Sequence, residues 1–278
     1  MLNGQTIDSG NNSTNIQGKE VHVNNYGLSY SDVKEIAMDV FKSNFYDLGE
    51  KVEKIVQERA EKLLDDYLEK LSSKNPEYIN NTQEPDIRYV IYEAQKNYAR
   101  RGEELTEKLL VETLVNRTAI QGNSIQELVL NEALEIIPKL TSKQIDILSL
   151  IFFNKYAKFE SHDPISSYCV LNSVIRSGMV IDRNSSLFQH LEYASCIAIS
   201  IGSIDYKTII KGKFSNVNED EEIQKLINGN KELAIMSNMW DNSQLCNSSL
   251  TSVGIAIAIV NIKIKTGLEC DLGIWIKE

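Results

Sequence analysis

The sequence predicts a mainly α-helical protein with a short β-rich N-terminal segment for oligomerisation, a long amphipathic helix and a compact multi-helix body. Three observations predict it. Apolar residues recur at threes and fours from Val33 to Leu71. Helix caps repeat along the remainder of the chain. The first 28 residues are instead rich in Gly, Asn, Ser and Thr and alternate in short pieces.

Residues 1–28 hold those pieces: Gln5 to Asp8, Ser13 to Gln17 and Glu20 to Asn24, separated by Gly10, Gly18 and Gly27 as turns. Val21 and Val23 point one way and His22 the other, the two-residue period of a strand. So few apolar side chains cannot make a core within one chain. Either the segment is disordered, or copies stack and bury Ile7, Ile16, Val21 and Val23 together, with Asn amides forming ladders between identical neighbours.

Residues 29–73 read as one amphipathic helix opened by Ser29 and Asp32 at capping-box spacing. Its apolar stripe includes Phe41, Phe45, Leu48 and Val52, expected to join copies as a coiled coil or, being wider than a strict seam, to pack on the rest of its own chain, while Glu58, Arg59, Glu61, Asp65 and Asp66 mark a charged face. Unbroken, it would be roughly 60 Å long. Gly49 could divide it in two.

Residues 85–278 read as the helical body. Pro85 opens a helix closed by Gly102, and Leu105 to Leu114 make a second. Ser124 with Glu127, and Thr141 with Gln144, have capping-box spacing ahead of apolar runs. Further helices are expected over Pro164–Arg176, Ser186–Ile199 and Glu221–Met239. Residues 253–265 fit a strand or a helix; Thr251 as cap and Lys263 and Lys265 at the far end favour helix. Leu272, Ile274 and Ile276 alternate as in a short strand.

A net charge of −10, with no basic run longer than Arg100–Arg101, disfavours nucleic acid and anionic membranes as partners. Cys169, Cys196, Cys246 and Cys270 form no Cys-x-x-Cys pair, which fits reduced thiols in a cytoplasm. Met1 to Gly10 lacks the pattern of a signal peptide, and the apolar run Val253 to Val260 is far too short to span a bilayer.

Chemistry is sparse. His22, His162 and His190 have no second ligand at helical spacing, so no metal pair forms on one helix. His190 with Cys196 would need tertiary contact to act as a nucleophilic pair, and His162–Asp163 reads as a helix approach. No phosphate loop or nucleophile elbow occurs, and the acidic run 218–222 reads as a solvated helix start. Trp240 and Trp275 read as core or interface anchors. No catalytic, cofactor-binding or metal-binding residues are assigned, and no cofactor is implied.

Gly10-Asn11-Asn12-Ser13-Thr14-Asn15-Ile16-Gln17, Gly27 to Ala37, Pro138 to Leu148 and Leu250 to Ala256 together resemble a family of uncharacterised bacterial proteins over most of the chain. Residues 10–17 also resemble short β-prefixes that precede some bacterial conflict and phage-defence proteins, and Leu250 to Gly254 is similar to the last helix of winged-helix-like modules, although the strands of a wing are not evident. The resemblance implies a helical body and carries no catalytic residues. The reading that results is a non-enzymatic homo-oligomer that binds a protein partner, with no membrane contact at rest. A membrane-perturbing toxic effector using Val253–Val260 and Cys196–Ile201, or a nuclease gathering carboxylates around Mg²⁺, are its competitors.

Overall fold

A computed structural model of the chain describes residues 28–44, 50–120, 122, 124–158, 161–181, 186–214 and 219–277. Among them the α-helices are α1 Tyr30–Asn44, α2 Glu50–Lys74, α3 Pro85–Arg101, α4 Glu104–Ala119, α5 Ile125–Ile136, α6 Ser142–Ile151, α7 Pro164–Arg176, α8 Ser186–Tyr193, α9 Tyr206–Lys213, α10 Asp220–Gly229, α11 Lys231–Asp241 and α12 Ser252–Thr266. Strands β1 Ile197–Ile199 and β2 Ser248–Leu250 pair antiparallel, with Ala198 opposite Ser249. The fold is thus mainly helical with one small two-stranded sheet.

The N-terminal β-rich segment, including Ile7, Ile16, Val21 and Val23, lies outside the described residues, as do Phe45 and Leu48. The helix read over 29–73 is two helices that fold against each other. Tyr30 donates to Asp65 at 2.7 Å, and Lys34 lies 2.9 Å from both Glu61 and Asp65. Along one straight helix residues 30 and 65 would stand about 50 Å apart. α1 ends at Asn44 and α2 begins at Glu50, and Gly49 itself lies outside the described residues.

The expected caps form. Ser29 and Asp32 bond reciprocally, as do Thr141 and Gln144. At Ser124 only half the box exists: its hydroxyl accepts from the Glu127 amide, but the Glu127 carboxylate turns to Arg117. Pro164–Arg176 is helical over the expected span. Three expectations need correction. The helix expected over Ser186–Ile199 stops at Tyr193, because Ser195 takes a left-handed backbone (φ 57°) and the chain continues as β1. The helix over Glu221–Met239 is broken at Asn230, whose side chain caps α11 through the amides of Glu232 and Leu233. The tail is a 3₁₀ turn, Leu272–Ile274, capped by Asp271, rather than a strand.

Two helices form the centre. α12 is helical, as its caps suggest, and Val253 through Ile262 are all buried. It packs on α4, α5, α6 and α7, so its apolar run is core. α4 touches α2, α3, α5 and α12 and carries apolar residues all round. Its three buried charges are all met by charges on neighbouring helices. Glu107 receives Lys62 and the Tyr98 hydroxyl (2.6 Å), Glu112 pairs with Lys70, and Arg117 binds Asp86 at 2.6 Å and Glu127 at 3.3 Å. Such pairs are costly to break once desolvated, so they fix how α4 sits among its neighbours. A similar polar junction ties α12 to α6: Asn261 donates to Asp146 (3.1 Å) and Ser149 (2.8 Å), and Lys265 lies 2.5 Å from Asp146.

Candidate functional site

The largest described cavity is a cleft of about 750 Å³ where α2, α4, α12 and the C-terminal segment meet. Each wall follows from local sequence. The last turns of α2 supply Lys70 and Lys74, the middle of α4 supplies Glu112 and Asn116, and the end of α12 supplies Lys263. Gly267, left-handed at φ 73°, closes α12 and turns the chain so that Glu269 faces Lys263 at 2.9 Å. A second hollow beside it shares Lys70, Ser73, Glu112 and Lys263 and extends to Asp66 and Glu107.

Glu112 is the centre of this cleft. Its side chain is only 4% exposed, it pairs with Lys70, and its Oε2 is ion-paired with Lys263 at 3.3 Å. Two ammoniums thus offset the buried carboxylate charge, and its further lone pairs can accept a ligand N–H or O–H. Burial works against the Lys263 charge, but Glu269 and Glu112 outweigh it and raise the ammonium pKa above the usual lysine value. Lys74 differs. Burial, then the neighbouring Lys263 charge, lowers its pKa, and its ammonium donates to Asn116 Oδ1 at 3.1 Å. The cleft therefore offers an acceptor at Glu112 and a cationic donor at Lys74. Its volume suits a small ligand or an inserted side chain of a partner.

The sequence drew attention elsewhere. Phe41 is fully buried, in a small cluster with Val56, Ala60 and Ala99 inside the chain. Val52 is 47% exposed, and Ile55 on the same face of α2 is equally so. His190 and Cys196 are not a catalytic pair: Gln144 holds the His190 ring at Nδ1 (2.9 Å), and Cys196 is wholly buried with its thiol pushed up to about 12. A thiol held protonated is a poor nucleophile. Asp163 caps α7 through the Ser166 amide, and Arg101 donates to the Pro138 carbonyl at 2.6 Å, so both motifs serve structure. Trp240 is core; Trp275 packs edge-on against Phe152 and Tyr156. Cleft residues Lys70, Lys74, Glu112 and Lys263 carried no local motif, since they converge from three helices and only Glu112, charged in an apolar stretch of α4, stands out.

The fold is mainly helical, and a helical body of this kind does not by itself name a function. The chain belongs to an uncharacterised protein family, whose model matches residues 27–217 and 205–276. No curated protein and no solved structure matches it significantly. Among the described residues no helix is long and apolar enough to cross a membrane, and no group of three or more His, Cys, Asp or Glu could hold a metal ion.

Proposed function

We propose that this chain is a non-enzymatic, homo-oligomeric binding and assembly protein whose N-terminal part joins copies and whose body recognises a partner protein at the α2–α4–α12 cleft. The observation that carries the reading is an open cleft of about 750 Å³ in which the Glu112 carboxylate is buried between the ammoniums of Lys70 and Lys263. For assembly, support comes from Val52 and Ile55, two apolar side chains half exposed on the first turns of α2. Residues 1–28 would add Ile7, Ile16, Val21 and Val23 to the same interface, as their alternation suits stacking between copies. A bacterial phage-defence role as sensor or effector follows from the resemblance of residues 10–17 to the prefixes of such proteins, and free thiols at all four cysteines suit a cytoplasmic setting.

Light scattering and native mass spectrometry on the full chain and on a chain lacking residues 1–28 test the assembly. The full chain should form a defined oligomer and the shortened chain a smaller species. Equal masses would overturn the assembly role. Glu112→Gln, compared with the full chain in pull-downs during phage infection, tests the cleft; unchanged capture of every partner would remove it as the recognition site.

A further inference from the structure

A second cavity, remote in sequence from the cleft, has an unusual charge balance. It is a pocket of about 260 Å³ between the end of α6 and helix α9, lined by Lys155, Lys158 and Lys213 and by no Asp or Glu among the described residues. In a chain with ten more acidic than basic side chains, a pocket lined only by cations is an exception that composition does not produce by default.

Its geometry begins at a π-helical turn, Phe152–Tyr156, which continues α6 and ends with the Ala157 amide bonded to the Phe152 carbonyl at 3.0 Å. Such turns widen a helix by one residue and frequently mark functional sites. Here the turn swings Lys155 toward β2, where its ammonium donates to the carbonyls of Cys246 (3.2 Å) and Ser248 (2.6 Å) and sits 5.4 Å from the Trp240 ring. Lys213, at the end of α9, donates to the carbonyls of Phe153 (2.8 Å) and Ala157 and lies 5.8 Å from the Phe153 ring.

Capping of a helix end by lysine is ordinary and explains the two bonds of Lys213, whereas Lys155 bonds carbonyls before and in β2. Among the described residues no Asp or Glu lines the pocket to offset these charges. Among the described residues, Asp205 and Asp241 are engaged at the opposite end of α9: Asp205 accepts from the Thr208 amide, and Asp241 accepts from the Tyr206 amide. Burial, with Lys158 adding repulsion, pulls the Lys213 pKa down to about 8, and burial lowers that of Lys155 as well. The Thr208 side chain and the small Gly212 complete the wall.

We infer that the Lys155–Lys158–Lys213 pocket binds a phosphate group, as free phosphate or as the phosphate of a small monoester. Three ammoniums suit a dianion, which brings several strong acceptor oxygens and two negative charges at once. Carboxylate monoanions fit less well, since they bring one negative charge and two acceptor oxygens where phosphate brings two charges and more oxygens.

Calorimetry and thermal melting of the full chain, titrated with inorganic phosphate and separately with a nucleoside monophosphate, test this. Phosphate should bind and raise the melting temperature, and the tighter of the two probes tells free ion from monoester. Lys158→Gln, at an exposed position that leaves the core intact, and Lys155→Gln should each weaken binding by about tenfold, while Lys74→Gln in the larger cleft should leave it unchanged. Absence of binding by both probes up to about 20 mM, or equal binding by the wild type and a folded Lys155→Gln/Lys158→Gln double variant, would overturn the assignment.

Discussion

The carbonyl oxygen of Cys196 stands where a side chain on Gly254 would begin. A Cβ at position 254 would fall inside the contact distance of this oxygen, which also accepts the Thr251 amide at 3.0 Å. The start of α12 and the residue leading into β1 thereby approach as closely as two backbones can.

Gly254→Ala should therefore lower stability by about 1–3 kcal/mol, because the obstacle is backbone rather than a flexible side chain. Gly229→Ala, where an added methyl meets open space, should stay within about 1 kcal/mol of the wild type. Thermal melts of both variants check the contrast, and equal behaviour would contradict the close approach.

Arg117→Met should cost about 3–5 kcal/mol in urea unfolding, since it strands Glu127 at the end of a buried charge pair. Adding Glu127→Leu to that variant should recover part of the loss. A double variant less stable than the single would show that the ion pair is not what the arginine supplies.

Stability should vary with pH in a way that separates two buried groups. Lys213 titrates near 8 in the folded chain against 10.5 unfolded, so the unfolded chain binds more protons between those values and stability rises with pH there. Cys196 is pushed the other way, from 9.0 to about 12, so the folded chain keeps a proton that the unfolded chain loses and stability falls above pH 9. Between pH 8 and 9 the wild type should gain stability relative to Lys213→Met, measured in phosphate-free buffer. Parallel curves would contradict the buried ammonium.

Val52→Lys with Ile55→Lys should reduce the oligomer mass without lowering the melting temperature by more than a few degrees, because both positions are half exposed. Light scattering and a thermal melt read the two effects separately.

Much of the helical plan was legible because local rules govern it. Thr141 and Gln144 bond as their spacing requires, and Thr251 caps α12 through the Gly254 amide at 3.2 Å. The errors fall where tertiary contact decides. Ser186 to Ile199 has helical periodicity throughout, but pairing with Ser248–Leu250 draws its last residues into a sheet. Short α9, Tyr206–Lys213, was missed altogether: its cap Asp205 sits in a Ser- and Gly-containing link that reads as loop. Neither cavity was legible. Glu112 and Lys263 lie 151 positions apart in the chain, and nothing local to either announces the other.

The polar junction of Asp146, Asn261 and Lys265 has a consequence for how this sequence can drift. α12 is otherwise a nearly uniform rod of Ile, Val and Ala, the kind of surface that fits its neighbours about equally well in several rotational settings. Only one of those settings lets Asn261 and Lys265 reach Asp146, so the aliphatic positions can exchange among themselves while those three change, if at all, together.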